Sequence, residues 1–189
     1  MNDLEVRSQT TEFETREAQG ENPVIEGYFV RFDDVFTITE SMSESIDRHA
    51  LDKSLANDIR ALADHDTSKV LGRTTNNTLK LRLDDVGLFG SVSINPKDTE
   101  AMNFYERVKR GDISQCSFGF NILDEQPITR EDGGTHWLVR EADVHEVSIV
   151  CFPAYEMTSI QARSKRIEEM KEREAESWKL QMKSKLKGE

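Results

Sequence analysis

The sequence predicts an α+β fold: a small, mostly antiparallel β-barrel with helices packed outside it, plus a charged C-terminal helix. Three observations predict it. Short apolar runs joined by turn residues recur along most of the chain, as expected for strands that pair with their neighbours in sequence. Two internal segments carry apolar residues at helical spacing. The last part loses Pro, has no Gly until Gly188, and is dominated by Lys and Glu. The 189 residues, 36% of them hydrophobic, suffice for one core. They divide into a loose N-terminus at 1–10, a folded domain at 11–162 and a helical tail at 163–189.

The elements follow in order. Residues 11–16 are polar with sparse alternation and lead through turn chemistry at Gln19, Gly20, Glu21 and Asn22. Residues 24–32 are rich in β-branched and aromatic side chains and predict a strand, as do 35–39. Residues 43–55 predict a helix, with Ile46, Ala50, Leu51 and Leu55 on one side. A strand at 59–65 runs into Asp66, Thr67 and Ser68, and the chain resumes at 70–73. Residues 78–83 alternate cleanly, turn at 84–87 and return antiparallel over 88–94. Asp98 caps a helix over 99–110 that Gly111 stops, with Ala101, Phe104, Tyr105 and Val108 on one face. Strands follow at 113–122, at 135–140 after a Gly133-Gly134 turn, and at 144–151 before Pro153. In the tail, Ile167, Met170, Trp178, Met182 and Leu186 form a thin apolar stripe, the mark of a surface or partner-binding helix.

Composition narrows the function. No stretch approaches the ~20 apolar residues of a membrane span. The start, Met1-Asn2-Asp3-Leu4-Glu5, has neither the basic nor the apolar region of a secretory signal, so the expected compartment is the cytoplasm. A net charge of −11 argues against nucleic acid and leaves a basic peptide or a basic segment of a partner protein open. The two cysteines, Cys116 and Cys151, form no CxxC pair and read as small buried residues.

Three segments could carry chemistry. His65 lies between Asp64 and Asp66 at a strand end, and flanking carboxylates raise a histidine's basicity and fix its tautomer. In the strand around Ser117, alternation puts Cys116, Phe118 and Phe120 on the core face. Ser117 then faces away from the core, where a substrate can reach it, and Gly119 beside it leaves room for a peptide backbone. In the last strand Glu146 shares a face with Val144, Ser148 and Val150, and an acid there needs a partner, such as a histidine. None of the three signals is strong alone, and the His65 and Ser117 segments by themselves read sooner as ordinary structure.

Together they resemble a known family. The run from Ala63 through Asp64, His65 and Asp66 to Val70, Leu71, Gly72 and Arg73 resembles the histidine segment of tailed-phage prohead (capsid-maturation) serine proteases. It is also similar to that of the herpesvirus assemblins. Gly111 to Phe120 resembles the phage family's nucleophile segment, and Glu146 to Val150 with Phe152, Pro153, Ala154 and Tyr155 its third box. Ile25-Glu26-Gly27-Tyr28 resembles its opening strand. The resemblance implies a serine endopeptidase without cofactor or metal, with Ser117 as nucleophile, His65 as general base and Glu146 orienting His65. Assemblins carry a histidine in the third role, which keeps His145 and Asp143 as alternatives. They also use an arginine pair for the oxyanion where this chain has Ala154 and Tyr155, leaving backbone N–H groups, Arg73 or Arg163. The implied substrates are the scaffold segment of the major capsid protein precursor and the chain itself. The implied setting is the host cytoplasm, inside the assembling prohead, with a homodimer as a further partner.

Three rivals stand beside it. The chain could be a non-catalytic capsid assembly or scaffold protein, which the charged tail favours. It could be a metal-dependent hydrolase built on His65, Asp64, Asp66 and His145, although no HExxH spacing is present. It could use Cys116 as nucleophile, although that residue falls on the core face.

Overall fold

Hydrogen bonding sorts the strands into two sheets. The computed structural model describes residues 4–17, 22–32 and 34–152, and in the tail 167–168, 175–176, 178–180 and 182–183. The elements run β1 (Glu5–Thr10), β2 (Glu14–Arg16), β3 (Val24–Arg31), β4 (Phe36–Thr39), β5 (Met42–Ile46), β6 (Arg60–Ala63), β7 (Asp66–Arg73), β8 (Leu79–Leu83), β9 (Gly87–Ser93), α1 (Thr99–Arg110), β10 (Gln115–Thr129) and β11 (Thr135–Val150). One sheet has seven strands in the order β1-β10-β11-β5-β4, with β6 on β11 and β7 on β6. The other has four, in the order β2-β3-β9-β8, all antiparallel. Buried side chains of both sheets, among them Phe29, Val92, Phe118 and Val147, join one hydrophobic cluster with Tyr105 and Val108 of α1.

This corrects the expected barrel: neither sheet closes. The reason lies in β11, which spans 16 residues, so that two short strands share its far edge. β5 pairs with Thr135 to Val139 and β6 with Glu146 to Ile149, both parallel to β11. The larger sheet is therefore mixed, and it ends in β1, β4 and β7 instead of meeting itself. The helix expected over 43–55 is also absent. Met42 to Ile46 form β5, followed by turns and a short 3₁₀ segment at Ser54–Ala56. Ile46, Ala50 and Leu51 are buried as that pattern required, but Leu55 is not, and pairing with β11 satisfies the backbone of residues 42–46. The two strands read at 135–140 and 144–151 are one continuous β11.

Residues 5–10, read as loose, form edge strand β1 against β10. Its inward charges are Glu5 and Arg7. Arg7 reaches Glu44 of β5 at 2.9 Å and Glu5 at 3.2 Å, with all three side chains buried. Helix α1 forms as its local signals dictate: Asp98 accepts from the N–H groups of Glu100 and Ala101, and Gly111 ends it at a φ of 86°. The described tail residues are helical, with Ile167 buried and Trp178 and Met182 exposed. Met170 and Leu186 of the expected stripe lie outside the described residues. Among the described residues no helix is long and apolar enough to cross a membrane.

Candidate active site

The β10–β11 pair carries two faces of opposite character. Cys116, Phe118, Phe120, Val147 and Ile149 point into the hydrophobic cluster. Ser117, Gly119, Glu146 and Ser148 occupy the other face, with Ser117 opposite Ser148 and Gly119 opposite Glu146 in the antiparallel register. Phe118 and Phe120 stack at 4.8 Å between ring centroids and hold β10 by its core side.

His65 comes to this face from the tip of the β6–β7 hairpin. Ala63 pairs with Asp66, so Asp64 and His65 are the two central residues of the turn, and both have positive φ, 52° and 58°. That is the backbone a two-residue primed turn needs. Asp64 ties the tip to the end of β11: its N–H donates to the Ile149 carbonyl at 3.0 Å, and its carboxylate accepts from the Cys151 N–H at 2.7 Å. Asp66 faces elsewhere, accepting from the N–H and hydroxyl of Ser68, which with Lys69 hold its carboxyl below the usual range.

The partner that burial of Glu146 demands is His65. Its Nδ1 lies 2.7 Å from Glu146 Oε1. An ionised carboxylate only accepts, so the shared proton sits on Nδ1. The other carboxylate oxygen, Oε2, accepts from the Ser148 hydroxyl at 2.6 Å. His65 Nε2 is buried and has no hydrogen-bond partner among the described residues. His145 and Asp143, the alternatives for the third role, are not brought to His65. They face each other at 4.0 Å, and Asp143 accepts from Asn57.

Ser117 lies off the core face, but it is not open to substrate as alternation suggested. It is fully buried, with β1 on one side and β11 on the other. Its hydroxyl donates to the Arg7 carbonyl at 2.9 Å and accepts from the Ser8 hydroxyl at 3.0 Å. Nor is the space beside Gly119 left for a peptide. A Cβ there would meet Glu146 Oε1 at 2.6 Å, so the carboxylate already fills it.

The remaining candidates sit apart. Arg73 is held by Asp58 in a two-pronged contact of 2.7 and 2.5 Å at the base of the hairpin, its far end from His65. Ala154, Tyr155 and Arg163 lie outside the described residues. Cys116 is buried, and loss of solvent pushes its thiol up to about 12 despite hydrogen bonding from Gln9. Cys151, read as buried, is exposed. No three His, Cys, Asp or Glu side chains among the described residues converge in a way that could hold a metal ion. Sequence reasoning missed Ser8, Arg7 and Ser148. Ser148 alone left a signal, as a polar residue on the same strand face as Glu146.

Comparison with known proteins now bears on this arrangement. No curated protein sequence matches the chain significantly. The fold is similar to the solved structure of the bacteriophage T4 capsid assembly protease, gp21, with a TM-score of 0.53 at 11% sequence identity, covering 78% of this chain and 97% of that one. The family model for the caudovirus prohead serine protease matches residues 9–173, which include Ser117, His65 and Glu146. The chain therefore belongs to the caudovirus prohead serine protease family and is a serine protease.

Proposed function

We propose that this chain is the maturation protease of a phage prohead, a serine endopeptidase with Ser117 as nucleophile, His65 as general base and Glu146 as the acid that orients it. One observation carries the reading. Glu146 accepts from His65 Nδ1 on one oxygen and from the Ser148 hydroxyl on the other, which leaves Nε2 as the ring nitrogen with no partner among the described residues. A serine hydroxyl needs such a base, because it is a poor nucleophile while it keeps its proton.

In the proposed mechanism the Ser117 hydroxyl, which donates to the Arg7 carbonyl at rest, rotates so that its proton passes to His65 Nε2. Oγ bonds to the substrate's carbonyl carbon as the proton passes to the imidazole. Glu146 stabilises the imidazolium that results. His65 then gives the proton to the leaving amine as the C–N bond breaks, and water hydrolyses the acyl-serine by the same route. The substrates are the scaffold segment of the major capsid protein precursor and the chain itself, cut inside the assembling prohead in the host cytoplasm. Family membership and the fold shared with a capsid assembly protease support that assignment.

Intact-mass spectrometry after co-expression with the capsid precursor tests it. The native chain and Ser114→Ala, a change at an exposed residue just before β10, should trim the precursor. Ser117→Ala should slow trimming by at least about 10³-fold. If Ser117→Ala trims at the native rate, the nucleophile is misassigned. If none of the three trims, a non-catalytic assembly role takes its place.

A further inference from the structure

We propose that Ser148 and Gly119 are positioning residues that together form the seat of the Glu146 carboxylate. The inference rests on the triad reading above, since a seat for Glu146 matters to catalysis only if Glu146 orients His65.

The seat has a floor and a wall. Gly119 stands directly opposite Glu146 in the β10–β11 register. Cross-strand neighbours on one face have Cβ atoms about 5 Å apart, so an ordinary side chain at 119 would compete with Glu146 for the same space. Here the Glu146 side chain folds back over the empty position. An added Cβ would lie 2.6 Å from Oε1, 3.2 Å from Cγ and 3.3 Å from Cδ. Oε1 is the oxygen that holds His65. Ser148 forms the wall: it is fully buried, two residues along the same face, and donates to Oε2 at 2.6 Å. With one oxygen fixed by Ser148, the carboxylate plane is set and Oε1 is aimed at Nδ1. Without that bond the carboxylate can swing about its terminal torsion, which is soft for glutamate.

The two positions should fail differently. At Gly119 the atom displaced is the far end of a flexible side chain, not backbone, so Gly119→Ala should still fold while pushing Oε1 away from His65. Ser148→Ala should keep the carboxylate near His65 but untethered. Ser148→Thr retains the hydroxyl in a residue that suits a strand.

The test uses the full chain, with precursor trimming and the His65 Nδ1–H proton resonance as paired readouts. In native protein that proton should appear far downfield, as expected for a short bond to a carboxylate. Ser148→Ala should broaden or shift it and lower kcat about 10- to 100-fold with KM unchanged, the loss typical of a hydrogen bond to a charged group. Ser148→Thr should recover most of both. Gly119→Ala should abolish the resonance and lower kcat at least as far, while its thermal melt stays cooperative. If Ser148→Ala and Gly119→Ala both keep the resonance and the native kcat while Glu146→Gln loses activity, the triad stands and the seat is wrong. If Glu146→Gln is itself fully active, the triad reading falls and the seat with it.

Discussion

The proposed general base sits on a backbone that few residues adopt. His65 and Asp64 both hold positive φ, where an L side chain crowds the following carbonyl. Asp and His are among the non-glycine residues enriched there. The turn is retained because Asp64 anchors it to Ile149 and Cys151, so the residue beside His65 acts as its mooring. Cysteine chemistry separates at the same scale. The buried Cys116 thiol, pushed up to about 12, stays protonated at any physiological pH. Iodoacetamide applied to native protein at pH 8 should therefore add to Cys151 first and leave both Cys116 and precursor trimming intact. Peptide mapping would show it, and a Cys116 adduct that stopped cleavage would put the thiol in the mechanism. Much of this scale was legible in the sequence. The cost of burying Glu146 predicted a partner, and alternation placed Phe118 and Phe120 in the core. The contacts of Ser117 were not legible, because Arg7 and Ser8 reach it from more than a hundred residues away.

Among the elements, those with local causes read correctly and those held by partners did not. Helix α1 has its cap, its apolar face and its stop within residues 98–111. The β8–β9 hairpin likewise has its turn and alternation side by side. By contrast, β5 has a sequence compatible with a helix and becomes a strand because β11 lies beside it. β1 looks like solvent-exposed chain because its inward residues are charged. The β6–β7 hairpin is held at both ends: Asp64 fixes its tip and the Asp58–Arg73 pair its base. Hydrogen bonding from Arg73, helped by the charges of Arg60 and Arg73, outweighs partial loss of solvent and lowers Asp58 from 3.8 to about 2. A carboxyl depressed by folding contributes stability that is fully present above its unfolded value and is lost as pH falls toward its folded one. The urea midpoint should accordingly drop between about pH 4 and pH 2, and Asp58→Asn should flatten part of that slope. An unchanged slope in the variant would mean that the clamp adds nothing to stability.

For the molecule as a whole, the buried charges decide how β1 is attached. Arg7 sits 5.6 Å from the centroid of the Phe120 ring and between two buried carboxylates, and in this way links β1, β10 and β5. Loss of solvent pulls Arg7 down, and Glu44 and Glu5 more than restore it, so the guanidinium remains charged inside the protein. Arg7→Met should destabilise the fold by about 3–5 kcal/mol, because it takes the cation from two buried acids. Replacing Glu5 and Glu44 by Met as well should recover most of the loss. Denaturant midpoints of the single and triple variants measure both, and a single variant as stable as native would show that these acids are held by other contacts. The open mixed sheet escaped sequence reasoning for a related reason. Nothing local to β5 or β6 says that both will share one long strand.

The β1 cover over Ser117 also bears on the order in which the protein is made. β1 leaves the ribosome before the strands it joins: the Ser117 hydroxyl that Ser8 meets follows 109 residues later, and the acid beside His65 follows its histidine by 81. Contacts of such separation form late and together. A nascent chain therefore cannot bring His65, Ser117 and Glu146 together at any length short of the β10–β11 hairpin. In the folded chain Ser117, the proposed nucleophile, is paired with β1.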